Sequence, residues 1–142
     1  MTLGKIEDGF FVSPQIMPEH FAELAAQGIK TIINNRPDGE RGAYPSNDEM
    51  AKLAGENGME YRFIPVNPMA LTMDPVNAFA EAMNELPKPV AAYCASGRRS
   101  AMMWALTNAS TKSADEIIAA CSAQGHDLNQ MRPMLAQMAQ AA

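Results

Sequence analysis

The chain has 142 residues, 47% of them apolar, which is enough to bury one continuous core without disulfide or metal staples, so one domain over residues 1–142 is expected. Eleven basic against sixteen acidic residues give a net charge of −5 and a pI near 4.9, which excludes the diffuse basic footprint of a nucleic-acid binder. No apolar run reaches membrane-span length or resembles a signal peptide, and His20 and His126 are too isolated to build a metal site, so a cytoplasmic protein without membrane, metal or cofactor is predicted.

In chain order, Phe10 to Ser13 reads as a short strand. After Pro14, an amphipathic helix is expected from Pro18 to Gln27, stopped by Gly28. Lys30 to Asn34 is β-branched and apolar, fit for a buried strand that opens into the polar loop Asn35 to Glu40, where Pro37-Asp38-Gly39 signals a turn. Ser46 and Glu49 have capping-box spacing for a helix that runs to Asn57, with Gly58 as its terminator. A third strand is expected from Glu60 to Val66, and Asp74 and Pro75 suit the N-cap and first position of a helix ending near Leu86. Val90 to Tyr93 is then a fourth, central strand. Further helices are predicted from Ser100 to about Ala109, after the pair Ser113 and Glu116, and after Asp127, the final two serving to cover the core.

Alternating strands and helices imply right-handed crossovers, hence an α/β fold with a mainly parallel sheet of four to five strands and helices on both faces. Ligands bind such folds outside the carboxyl ends of the strands. That rim carries the loops Asn35 to Ala43, Asn67 to Met73 and Cys94 to Arg99.

Chemistry concentrates in Cys94-Ala95-Ser96-Gly97-Arg98-Arg99-Ser100. A thiol at a strand-to-helix turn meets the backbone N–H groups and positive end of the helix, a setting that favours thiolate and binds anions. Cys94 is therefore the expected nucleophile. The backbone of Ala95, Ser96 and Gly97 would form the anion pocket, and Gly97 permits a positive φ or a close approach. Arg98 and Arg99 offer guanidinium forks for a tetrahedral anion, neither being suited to a sealed core, and Ser100 could cap the helix or donate to the thiolate. Arg36 and Asp38, from the neighbouring loop, are the further candidates, Arg36 for binding and Asp38 as a proton donor. Cys121 follows the spacing Ile117, Ile118, Cys121 and is read as core, and Tyr93 leaves no histidine directly before the nucleophile.

From Phe11 to about Pro133 the chain resembles the bacterial beta-lactamase hydrolase-like, phosphatase-like domain family, also called domain of unknown function 442. The resemblance is carried by Val12-Ser13-Pro14-Gln15, Asn35-Arg36-Pro37-Asp38-Gly39-Glu40, Tyr61-Arg62-Phe63-Ile64-Pro65-Val66, Tyr93 to Ser100 and Trp104-Ala105-Leu106. It implies a tyrosine-phosphatase-like fold of the dual-specificity type. Some members are fused to a persulfide dioxygenase and are taken to be sulfurtransferases, so a persulfide dioxygenase is an implied partner. The histidine-rich motif of that fused metal domain is not in this chain.

Tyrosine phosphatases place five residues between cysteine and arginine and single-domain rhodaneses four, the number between Cys94 and Arg99. Where the phosphatases carry an acid before the cysteine strand, this chain has Asn67-Pro68-Met69, and Asp74 in the same connection reads as a cap. Both features favour a sulfurtransferase in which Cys94 takes sulfane sulfur from a small anionic or persulfide substrate and passes it to a thiol acceptor. A phosphatase forming phosphocysteine, with Asp38 or Asp74 as acid, is the alternative, and a non-catalytic anion or persulfide sensor is a third reading.

Overall fold

A computed structural model describes residues 3–141. Five strands, β1 (Gly4–Glu7), β2 (Phe10–Ser13), β3 (Thr31–Asn34), β4 (Glu60–Phe63) and β5 (Val90–Tyr93), form one sheet in the order β1-β2-β5-β3-β4. β2, β5, β3 and β4 run parallel, and β1 adds an antiparallel edge through a hairpin with β2. The mainly parallel α/β architecture expected from the sequence is thus observed.

Helices cover both faces. α1 (Phe21–Ala26) and α2 (Asn47–Glu56) lie on one, where Ile32, Ala91 and Tyr93 pack with Phe21, Leu24 and Met50. α3 (Met73–Glu85), α4 (Arg98–Thr107), α5 (Ala114–Ser122) and α6 (Arg132–Ala141) contribute to the other, where Phe10, Ile33, Val90 and Ala92 meet Phe79, Trp104 and Ile117. The two-residue period of a strand explains the division, since Val90 and Ala92 of β5 point one way and Ala91 and Tyr93 the other. Phe10 anchors the larger cluster, stacked on Trp104 at 6.4 Å and edge-on to Phe79 at 5.9 Å.

Several boundaries differ from the sequence reading for local reasons. β1 was not anticipated, because a four-residue edge strand with charges at Lys5 and Glu7 has little apolar alternation. α4 starts at Arg98 rather than Ser100, with Gly97 as N-cap. α3 starts at Met73 with Thr72 as N-cap, so Asp74 lies in its first turn instead of capping it. The first predicted helix is a 3-10 turn at Pro18–His20 continued by α1, and a second such turn at Asn129–Met131 precedes α6. β4 stops at Phe63, although Ile64 and Val66 still donate backbone hydrogen bonds to Asn34 and Asn35.

One feature of the register sets up the site. Ser13, Tyr93 and Asn34 are Cα partners across β2, β5 and β3, so three chains leave the sheet side by side at its carboxyl edge. The central one continues into Cys94.

Candidate active site

The turn from β5 into α4 folds back over the cysteine sulfur. Cys94 Sγ accepts the Gly97 N–H at 3.1 Å. The residue is 1% exposed, yet it belongs to neither apolar cluster, and the adjoining Ala95 and Ser96 are exposed. Its sulfur is met by the backbone of the turn that opens a ten-residue helix, on the side of that helix's positive end. A cavity of about 280 Å³ lined by Ser13, Ser96 and His126 adjoins the loop, and one of about 310 Å³ lies in the segment after β3, lined by Asp38, Glu40 and Tyr44.

Gly97 is required twice over. Its φ of +96° lies in the left-handed region, and a methyl group there would come 3.2 Å from His126 Nε2 and 3.3 Å from the Ser13 carbonyl. Gly97→Ala is expected to cost about 1–3 kcal/mol of stability and to disturb the amide facing the sulfur. Urea unfolding of the two proteins reads the first effect; equal midpoints would show the turn to be more adaptable than this geometry implies.

The adjacent arginines diverge. Arg99 enters the rim, where Nη1 donates to Glu40 Oε2 at 2.7 Å and to the Val66 carbonyl at 3.0 Å, and Nη2 donates to Glu40 Oε1 at 2.9 Å. Its side chain is 13% exposed. Hydrogen bonding to Glu40 raises its pKa first, and the charge and hydrogen bonding of the Cys94 sulfur raise it further against desolvation. Arg99 is thus gripped by the Glu40 carboxylate and interacts with the Cys94 sulfur. Arg98 turns to the other side, where Nη1 donates to the Asp127 carbonyl at 2.7 Å.

Glu40 was not singled out from the sequence, where it appears only as the end of a polar turn. In the fold it is the hub of the rim, because Arg36 Nε also donates to Oε1 at 3.1 Å. Hydrogen bonds and charge from Arg99, then Arg36, hold its carboxyl below the usual range despite partial burial. Arg36 is itself fully engaged: Nη1 donates to Gln15 Oε1, Nη2 donates to the Arg41 carbonyl, and the guanidinium lies 3.6 Å from the centre of the Tyr44 ring. It braces the loop and does not project toward a ligand as a free fork.

Asp38 is placed at the start of α2, where Oδ1 accepts the Asn47 N–H at 2.8 Å. Ser100 is buried, and its hydroxyl donates to Asn35 Oδ1 at 2.8 Å instead of to the sulfur. Asn35 in turn donates to the Ile64 carbonyl, so Ser100 ties α4 to the ends of β3 and β4. The Tyr93 hydroxyl is buried without a hydrogen-bond partner among the described residues, and burial pushes its pKa well above the ordinary phenol range. It is a neutral group, unable to act as a base beside Cys94. Cys121 lies in the larger apolar cluster, with its thiol pushed up to about 12 by burial.

Residues 3–111 match the family described as beta-lactamase hydrolase-like protein, phosphatase-like domain. The beta-lactamase hydrolase-like protein of Agrobacterium fabrum (strain C58) is 39% identical over 109 residues, which cover 77% of this chain and 25% of that relative. The chain therefore spans about a quarter of the relative's length. Among solved structures, a candidate phosphatase from Neisseria meningitidis Z2491 is similar with a TM-score of 0.87 at 29% identity, over 97% of this chain and 99% of that one. The core catalytic domain of the PP-IP phosphatase SIW14 from S. cerevisiae, solved with citrate, has a TM-score of 0.67 at 14% identity, over 97% of this chain and 83% of that one, a likeness of fold alone. The fold class is that of the tyrosine and dual-specificity phosphatases.

Proposed function

Since the chain belongs to the family of beta-lactamase hydrolase-like phosphatase-like domains, we propose that it is a cysteine-dependent phosphatase acting on small phosphorylated substrates. The observation that carries this reading is the placement of Cys94 Sγ under the Gly97 N–H, with Arg99 gripped by Glu40 and interacting with that sulfur. A preorganised amide and a guanidinium aimed at one spot stabilise negative charge that develops there.

In this reading the Cys94 thiolate attacks phosphorus, an S–P bond forms, and the P–O bond breaks with its electron pair leaving on oxygen. Water then attacks the phosphocysteine, releasing phosphate and restoring the thiolate. Arg99 and the amides of Ala95, Ser96 and Gly97 hold the phosphoryl oxygens. Arg98 and Ser100 serve the loop's shape, and Arg36 serves Glu40.

The proton donor limits the substrate. Glu40 is kept ionised by two guanidinium groups, and Asp38 would have to leave the Asn47 N–H to serve as the acid proposed from sequence. Substrates with good leaving groups, such as aryl phosphates or phosphoanhydrides, need the least help from an acid. Sulfur transfer, preferred from the sequence alone, is not supported by the relatives' descriptions. It is retained as a second reading because the four residues between Cys94 and Arg99 make a loop one residue shorter than that of the tyrosine phosphatases. There a thiol acceptor, and a persulfide dioxygenase as the next enzyme, would take the sulfur.

One preparation offered p-nitrophenyl phosphate, thiosulfate and glutathione persulfide in parallel decides between them. Phosphate release exceeding sulfur transfer in kcat/KM is the expected result. A Cys94 persulfide detected by mass spectrometry, with no ester hydrolysed, would replace the first reading by the second.

A further inference from the structure

Residues 112–141 lie beyond the family match, yet the turn between α5 and α6 reaches the nucleophile loop. That turn is well braced. The His126 N–H donates to the Cys121 carbonyl at 3.0 Å after Gly125 takes a φ of +84°, and Leu128 is fully buried. Asp127 Oδ1 accepts from both the backbone and the side-chain nitrogen of Asn129, at 2.9 and 2.8 Å. Gln124 Nε2 donates to the Lys5 carbonyl, fastening the same turn to β1.

Two contacts then run from this support to the loop. His126 backs Gly97 so closely that a methyl group there would sit 3.2 Å from Nε2. Arg98 is pinned by the Asp127 carbonyl. Burial first, and then the Arg98 charge, lower the His126 pKa, which suits a neutral ring packed behind the loop. The two residues so gripped are the one whose N–H reaches the Cys94 sulfur and the one that precedes Arg99.

We propose that His126 and the Asp127 carbonyl, acting through Gly97 and Arg98, are positioning elements that hold the Gly97 amide on the Cys94 sulfur and aim Arg99 at the rim. A turn that merely covered the core would need no polar contact with the first residue of α4. Both parts of this clasp act through the loop. The proposal rests on the phosphatase reading only for its kinetic consequence.

The test uses the full chain and two readouts on His126→Ala, Arg98→Ala and Arg98→Lys. Amide hydrogen exchange by NMR is expected to speed up at Gly97 by about tenfold in both alanine variants, in Arg98→Ala from losing one net hydrogen bond and in His126→Ala from losing the ring packed behind the turn, while β5 amides keep their protection. The value of kcat/KM on p-nitrophenyl phosphate should fall by a similar factor, and Arg98→Lys, whose ammonium still reaches the carbonyl, should lose less than Arg98→Ala on both measures. Gly97 exchange within twofold of wild type in both alanine variants overturns the clasp, as does a rise spread evenly over the sheet. A wild-type protein that hydrolyses no phosphate counts against the function proposed above, and the exchange measurement still decides the clasp.

Discussion

Cys94→Ser is expected to lower kcat on an aryl phosphate by at least about 10⁴-fold, the scale at which removal of a nucleophile acts. A hydroxyl is not ionised by a helix end or a guanidinium at neutral pH, so attack on phosphorus fails even though the serine oxygen can still accept the Gly97 N–H. The fold should survive, because Cys94 belongs to neither apolar cluster and the substitution is nearly isosteric. Tungstate, a probe for the tetrahedral anion, should therefore bind the variant within a few-fold of wild type when measured by calorimetry. The pair of results also separates an enzyme from a sensor. Equal tungstate affinity with no turnover by either protein identifies a sensor, whereas a serine variant retaining more than about a hundredth of the wild-type kcat would remove Cys94 from the chemistry.

The path from sequence to this site was uneven, and the reasons are physical. β2 and β5 were legible to the residue, since short β-branched or apolar runs bounded by Pro and by polar loops leave few alternatives. Ser46 and Ser113 cap α2 and α5 as their spacing with Glu49 and Glu116 required, because capping is decided within four residues. Cys94 stood out for the same reason, being part of a local strand-to-helix turn. Glu40 did not, because its partner Arg99 lies 59 positions away and only the parallel pairing of β3 with β5 brings the two loops together. The division of labour between Arg98 and Arg99 was equally hidden. Neighbours on a helix point about 100° apart, and which one faces the rim depends on where Gly97 starts the helix. His126, isolated in the sequence, gave no sign of its place behind Gly97, because that contact depends on how α5 packs against β1.

That same separation makes the ion pair of Arg99 with Glu40 the second place where a single change should have a large effect. Arg99→Ala is expected to reduce kcat/KM by about 10²–10³-fold, the cost of removing one preorganised donor from an oxyanion site. Arg99→Lys should rescue little, since one ammonium cannot span both Glu40 oxygens and the Val66 carbonyl that the guanidinium engages together. Glu40→Gln keeps the shape but weakens the grip on both Arg99 and Arg36, and a loss of about tenfold is expected, smaller because the guanidinium stays in the site. The pH dependence gives the more diagnostic signature. Glu40 has a folded pKa held below its unfolded value of about 4.3, so its contribution is fully present above that value and is lost as pH falls through the lower folded one. Stability of the wild type should fall in that acid window, and in Glu40→Gln the drop should flatten because nothing remains there to protonate. Thermal melts of both proteins between pH 3 and pH 7 provide the comparison. Parallel acid limbs would mean that Glu40 does not hold the rim together, and that Arg99 is aimed at Cys94 by Val66 alone.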